Sequence, residues 1–161
     1  MTQLIKDGAL AENDWTRVGA EDSIPASGNI IVSLAAWQEQ KVSLRNHDGQ
    51  VAVCLEPGEE PEQIADDLAD LPMIAIHFPA FADGRGYSYA RELRTRYNYK
   101  GEIRAIGDVL QDQLFYLWRC GFNAFDIRAD RDATAALKGL TDFTVTYQGD
   151  ARDPRPVYQR T

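Results

Sequence analysis

The segment running from Met73-Ile74-Ala75-Ile76-His77-Phe78 to Ala124-Phe125-Asp126-Ile127 constrains the fold more than any other feature of the chain. Short, nearly continuous apolar runs alternate in it with stretches patterned at helical period. A strand that stays apolar on both faces is covered on both. Strands alternating with helices imply a mostly parallel sheet joined by right-handed crossovers. After Met73–Phe78 the pattern gives a helix over Tyr87–Tyr97, with Tyr89, Ala90, Leu93 and Tyr97 on one stripe. It then gives a strand at Ile103–Ile106, a helix over Leu110–Arg119 and a strand at Ala124–Ile127. Upstream, Val51–Leu55 reads as a strand. Pro61 opens a helix whose apolar face is Ile64, Ala65 and Leu68. Downstream, Ala133–Leu140 reads as a helix and Phe143–Tyr147 as a last strand.

The expected class is therefore α/β, a mostly parallel sheet of about five strands with alternating helices. Two closures are open: a partial, β/α-barrel-like curl or an open doubly wound sheet. A complete eight-stranded barrel typically takes about 250 residues, and this chain has 161. One domain over 1–161 is expected. Residues 1–28 read as an irregular arm in which Leu4-Ile5 and Trp15–Val18 can be short strands, with Trp15 as anchor. Ile30-Ile31-Val32 is a short strand or a lead-in to a helix capped by Ser33. Residues 148–161 read as a flexible tail.

The formal net charge of −8 argues against nucleic acid and against an anionic membrane surface. No apolar run reaches transmembrane length, and Met1–Gly8 lacks a signal-peptide core. A cytoplasmic location is expected, with Cys54 and Cys120 as free thiols.

Ligands in parallel α/β sheets bind at the carboxyl ends of strands. That rule selects the loops after Phe78, Ile106 and Ile127. The first holds Asp83-Gly84-Arg85-Gly86. Its glycines let backbone N–H groups turn outward, the next helix offers its positive N-terminus, and Arg85 adds a fork of donors. This describes a cradle for sulfite, sulfate, phosphate or a carboxylate. Equally open is a loop in which Asp83 caps the helix, the glycines serve the turn and Arg85 pairs with an acid such as Asp108. The second loop offers Asp108 as an acid–base candidate or a helix cap, with Asp112 and Gln113 beyond it. Arg128, after its strand, is a further anion-binding candidate. Phe78, Phe81, Tyr87 and Tyr89 crowd the first loop and can wall a pocket, form a docking patch or close the core.

Cys120 lies at a helix C-terminus, which opposes thiolate formation, and Cys54 sits near a strand end; both read as packed thiols. Two cysteines cannot hold an iron–sulfur cluster by four thiolates. His47 and His77 lack zinc-ligand spacing. No dinucleotide or flavin motif is present. No metal and no cofactor is expected.

Several stretches together resemble one bacterial family. They are Phe78-Pro79 with Phe81, Asp83–Ser88, Ala90–Arg94, Gly101–Leu110, Asp112–Leu114 and Arg119–Phe122. The family is a domain of unknown function described as an oxidoreductase of sulfite reduction, its members encoded beside sulfite reductase. The resemblance implies an accessory protein of assimilatory sulfite reduction that docks to sulfite reductase or its electron donor. The alternative is a small sulfur-metabolism enzyme or sensor binding a sulfur or phosphate oxyanion at the Asp83–Gly86 loop. Two positions depart from the family pattern. His77 stands where members often carry an acid, and Ala80 where they often carry a base. That departure speaks against His77 as a catalytic base.

Overall fold

The structure, a computed structural model, describes residues 3–19, 22–79, 85–109 and 113–127. In chain order it contains β1 (Gln3–Lys6), β2 (Ala9–Ala11), β3 (Trp15–Arg17), β4 (Asn29–Ser33), α1 (Leu34–Arg45), β5 (Val51–Leu55), a 3₁₀ segment (Pro61–Asp70), β6 (Met73–Phe78), α2 (Arg85–Thr95), β7 (Glu102–Gly107), α3 (Leu114–Cys120) and β8 (Ala124–Ile127). The expected helix at Ala133–Leu140, the strand at Phe143–Tyr147 and the tail lie outside the described residues.

Eight strands form one sheet in the order β2-β1-β8-β7-β6-β5-β4-β3. Pairs from β3 to β8 are parallel; β1 pairs antiparallel with β8 and with β2. Among the described residues the expectation of about five strands is corrected to eight. The arm is not an appendage packed on the domain but contributes β1, β2 and β3. These strands are three or four residues long, too short to show a period of their own.

From β4 onward each strand lies beside its predecessor. Right-handed crossovers between successive neighbours all fall on one face, so an open doubly wound arrangement is ruled out and the sheet curls into a half-barrel. The core shows the same asymmetry. One apolar cluster joins Ile74, Ile76, Ile103 and Phe125 to Trp37, Leu93 and Leu117 of the helices. The second lies on the helix-free inner face and comprises Ile31, Ala52, Cys54, Met73, Ala75 and Ile106, with Trp15 against it. The chain itself enforces the curl. Eight flat strands would set the edge strands β2 and β3 about 34 Å apart, whereas the link from Ala11 to Trp15 can span only about 14 Å.

That link crosses the inner face and is tied down there. Asn13 accepts from Arg104 Nη1 at 3.0 Å and donates to Asp126 Oδ2 at 3.3 Å. Arg104, 1% exposed in mid-strand, also donates through Nε to Glu102 at 2.7 Å, and Lys6 Nζ lies 3.0 Å from the other Glu102 oxygen.

Ser33 caps α1, accepting from Ala36 N at 3.1 Å. The segment after Pro61 takes 3₁₀ rather than α geometry. Its buried residues Pro61, Ile64 and Asp67 recur every third position, which is the 3₁₀ period. Asp67 is buried because it receives Trp37 Nε1 at 3.0 Å, Lys41 at 2.9 Å and Arg45 at 3.2 Å. Burial alone would raise its pKa. The hydrogen bonds from Lys41 and Trp37, with the charges of Lys41 and Arg45, outweigh it and hold the carboxyl below its ordinary range. Since the folded pKa lies under the unfolded one, this contribution is present at neutral pH and lost as pH falls through the folded value. Asp67→Asn is expected to cost about 1–3 kcal/mol at neutral pH. Urea melts should show the gap to wild type narrowing below about pH 4; a pH-independent gap would contradict the role of charge.

Candidate functional site

The turn that follows β5, Glu56-Pro57-Gly58, lies at the carboxyl edge of the sheet and collects side chains from three other elements. From β6, His77 Nδ1 lies 2.8 and 2.7 Å from the two Glu56 carboxylate oxygens. From β3, Arg17 Nη2 lies 3.5 Å from Glu56 Oε2 and 3.9 Å from Cys54 Sγ. From α2, Tyr89 Oη accepts from Gly58 N at 2.9 Å. Arg85 Nη1 stands beside Gly58, 3.6 Å from where a Cβ on that glycine would be. Glu59 Oε1 accepts from Glu56 N at 2.8 Å and holds the turn. One arginine, Arg17, and the His77 imidazole thus meet the Glu56 carboxylate, while Arg85 stands beside Gly58 of the same turn.

The strand register explains the convergence. Leu55 is level with Ile76 and His77 with Ile106. Glu56 and His77 therefore project from neighbouring strand ends toward the helix-free face, on which Cys54 and Ala75 also lie. A cleft of about 440 Å³ opens beside Glu56, bounded also by Arg17, Asp22, Ser33 and Cys54.

Gly107, at the end of β7, shapes the floor. It has φ +94°, and a Cβ there would lie 2.5 Å from the Phe78 carbonyl oxygen and 2.6 Å from His77 Cδ2. Only glycine leaves room for the imidazole in this position. Asp108 follows, its N–H donating to Phe78 O at 2.7 Å. It belongs to the same edge. The helix beyond it begins at Leu114 with Gln113 as N-cap residue, so Asp108 stands well ahead of α3.

Of the loop singled out from sequence, Arg85 and Gly86 are described; Asp83 and Gly84, like Asp112 and Arg128, lie outside the described residues. Arg85 is exposed in the first turn of α2. Gly86 is buried against β6, and a Cβ there would come 2.6 Å from the Phe78 ring. Its small size therefore lets α2 approach the sheet. Gln113 is half-buried. Tyr87 stacks edge-on with Tyr116 at 4.9 Å and lies 5.4 Å from Phe78. Tyr116 is 53% exposed.

Sequence reasoning set His77 aside and did not consider Arg17 or Glu56. Period-2 alternation would have paired Glu56 and His77 as strand-end residues, but only once the register was known. Both cysteines are buried. Burial pushes the Cys54 thiol up to about 12 and also raises that of Cys120. Neither is therefore a thiolate nucleophile at neutral pH. Among the described residues no group of histidine, cysteine and acidic side chains is arranged to hold a metal ion. No described helix is long and apolar enough to cross a membrane.

The family described as a bacterial protein of unknown function, DUF934, matches residues 52–158. The chain belongs to this family. The matched span contains Glu56, His77, Arg85, Gly107 and Asp108, whereas Arg17 and the whole closing arm precede it. No curated protein and no solved structure matches the chain.

Proposed function

We propose that this family member is an accessory protein of assimilatory sulfite reduction that holds a sulfur or phosphate oxyanion at the carboxyl edge of its curled sheet. The observation that carries the reading is the convergence of Arg17, His77 and Arg85 on the Glu56–Gly58 turn. Arg85 and the N-terminus of α2 supply the donors that an oxyanion needs. The partner, sulfite reductase or its electron donor, follows from the family resemblance. The buried, protonated thiols speak against thiol redox chemistry by the chain itself. The exposed Tyr116 ring beside Tyr87 offers aromatic contact area suited to docking.

Sulfite, sulfate or phosphate at a hundredfold excess over Kd should raise Tm by about 5–10 °C, the shift expected for a ligand that binds only the folded state. Arg85→Ala should remove most of it. If none of these anions stabilises the wild-type chain, the oxyanion site is wrong. Native co-purification tests the partner separately. A Tyr116→Ala chain that captures sulfite reductase as well as wild type would remove this patch from the interface.

A further inference from the structure

We propose that the cleft beside Glu56 binds a small zwitterion, a free α-amino acid with an apolar side chain. Its carboxylate sits on Arg17 and its ammonium on Asp22, with Glu56 adding a second negative charge. The inference goes beyond the oxyanion reading, whose donors are Arg85 and the N-terminus of α2. Arg85 lines a separate groove with Glu60, Ser88 and Arg91.

Three observations lead there. The first is the lining of the cleft. Val18, Ile31, Val32 and Cys54 give it an apolar wall, and Arg17, Asp22 and Glu56 add one cationic and two anionic groups. The second is that these charges are at hand. Arg17 Nη2 lies 3.5 Å from Glu56 Oε2, and the two side chains are 47% and 41% exposed. A pair so open to water contributes little by itself, so Arg17 can take a ligand carboxylate at small cost. The third is that both carboxylates are already positioned. His77 Nδ1 meets the Glu56 oxygens at 2.7 and 2.8 Å, and Glu59 holds the Glu56 N–H. Asp22 Oδ2 accepts from Gly19 N at 2.9 Å. An ionised carboxylate has about four acceptor sites, so Asp22 retains capacity for an ammonium. Groups fixed before the ligand arrives lower the cost of binding it.

The balance of charge decides the class of ligand. A sulfate or phosphate dianion in this cleft would face two carboxylates for one guanidinium, and like charges repel. A simple amine would face Arg17. A neutral apolar molecule would take water from three charged groups and return no partner. An α-amino acid carries both charges on groups that flank one carbon, and its side chain can lie on the apolar wall. The position agrees with this. The cleft opens where β4 and β5 end, and parallel sheets bind small molecules at that edge. Arg17, Val18, Gly19 and Asp22 all precede residues 52–158, the span matched by the family, so the arm completes the site.

The test is calorimetry and backbone-amide NMR of the full chain at constant ionic strength, with L-leucine, L-valine and L-methionine as probes. Isocaproate is L-leucine without its amine, and isoamylamine is L-leucine without its carboxylate. At least one of the amino acids is expected to bind with a Kd of about 1 mM or tighter and to shift the amides of Val18, Gly19, Ile31 and Val32. Isocaproate and isoamylamine should each bind about tenfold more weakly than L-leucine. Arg17→Gln and Asp22→Asn should each weaken amino-acid binding by a similar factor, and sulfate should not displace the amino acid. If none of the three amino acids shifts these amides, the inference is overturned, while the oxyanion reading stands or falls on the sulfate shift and Arg85→Ala. If isocaproate binds as tightly as L-leucine, or sulfate displaces it, the cleft is an anion site and the inference is likewise overturned. The wild-type comparison of L-leucine with its two analogues decides even where a variant does not fold.

Discussion

Glu102→Ala is expected to destabilise the chain by about 3–5 kcal/mol, the cost of leaving a buried charge without its counter-ion. Arg104 sits in the middle of β7 on the inner face, with its side chain 2% exposed, and Glu102 is 9% exposed. Glu102 is the sole carboxylate within ion-pair distance of Arg104 among the described residues, at 2.7 Å. Without it, Arg104 keeps a neutral partner in Asn13 at 3.0 Å. Lys6, 3.0 Å from Glu102, loses its counter-charge too, but at 45% exposure it is solvated and its loss adds little. The double variant Glu102→Leu/Arg104→Met removes charge and counter-charge together. It should recover most of the loss, since well-packed apolar replacements of buried pairs are commonly near neutral. Urea denaturation of the three chains decides. A Glu102→Ala loss below about 1 kcal/mol would mean that Arg104 reaches water or another acid. The same network holds Asn13, so the Glu102→Ala arm should also become more open to proteolysis around residues 12–14.

Gly107→Ala is expected to be nearly as damaging, and for the site more so. At φ +94° an L side chain is strained by about 1–2 kcal/mol. The new Cβ would also press on the Phe78 carbonyl oxygen at 2.5 Å and on the His77 ring at 2.6 Å. The first is backbone in a central strand and cannot swing aside. Overpacking of this kind adds about 1–3 kcal/mol, so a total near 3 kcal/mol and a Tm lower by roughly 6–12 °C are expected. Gly58→Ala is the control. It shares φ +94°, but its Cβ would meet only the Arg85 guanidinium at 3.6 Å. It should therefore show the backbone strain alone. Equal Tm losses in the two variants would show that the close approach of His77 and Phe78 costs nothing. In Gly107→Ala the imidazole must turn away from the β7 end, which loosens its contact with Glu56, whereas Gly58→Ala leaves the ring in place.

These two positions mark how far the residues alone could be read. The strands at Val51–Leu55, Met73–Phe78, Ile103–Ile106 and Ala124–Ile127 were legible because apolar residues dominate each run, the last two being broken only by Arg104 and Asp126. Ser33 was legible as a cap because a hydroxyl ahead of a helical stripe has a local purpose. The arm strands were not. Gln3–Lys6, Ala9–Ala11 and Trp15–Arg17 are held by pairing with partners far away in sequence, at β8 and β4. The 3₁₀ segment was hidden for a related reason. Its period follows from burying Asp67, and an aspartate counts as polar until its partners Trp37, Lys41 and Arg45 are in place.

The candidate site divides in the same way. The chain's own pattern placed the candidate edge after Phe78 and after Ile106, because the carboxyl ends of parallel strands are set by strand order alone. It named Arg85 and Asp108 on that edge. It could not bring Arg17 to Glu56, since the two meet only through the pairing of β3 with β4 and of β4 with β5. Nor could it join Glu56 to His77, which depends on β5 and β6 being level to the residue. Alternating strand and helix patterns determined an α/β chain with a parallel sheet. The tertiary structure decided that the sheet curls. Each crossover returns the chain to the neighbouring position with the same hand, and the short Ala11–Trp15 link holds the two edges together.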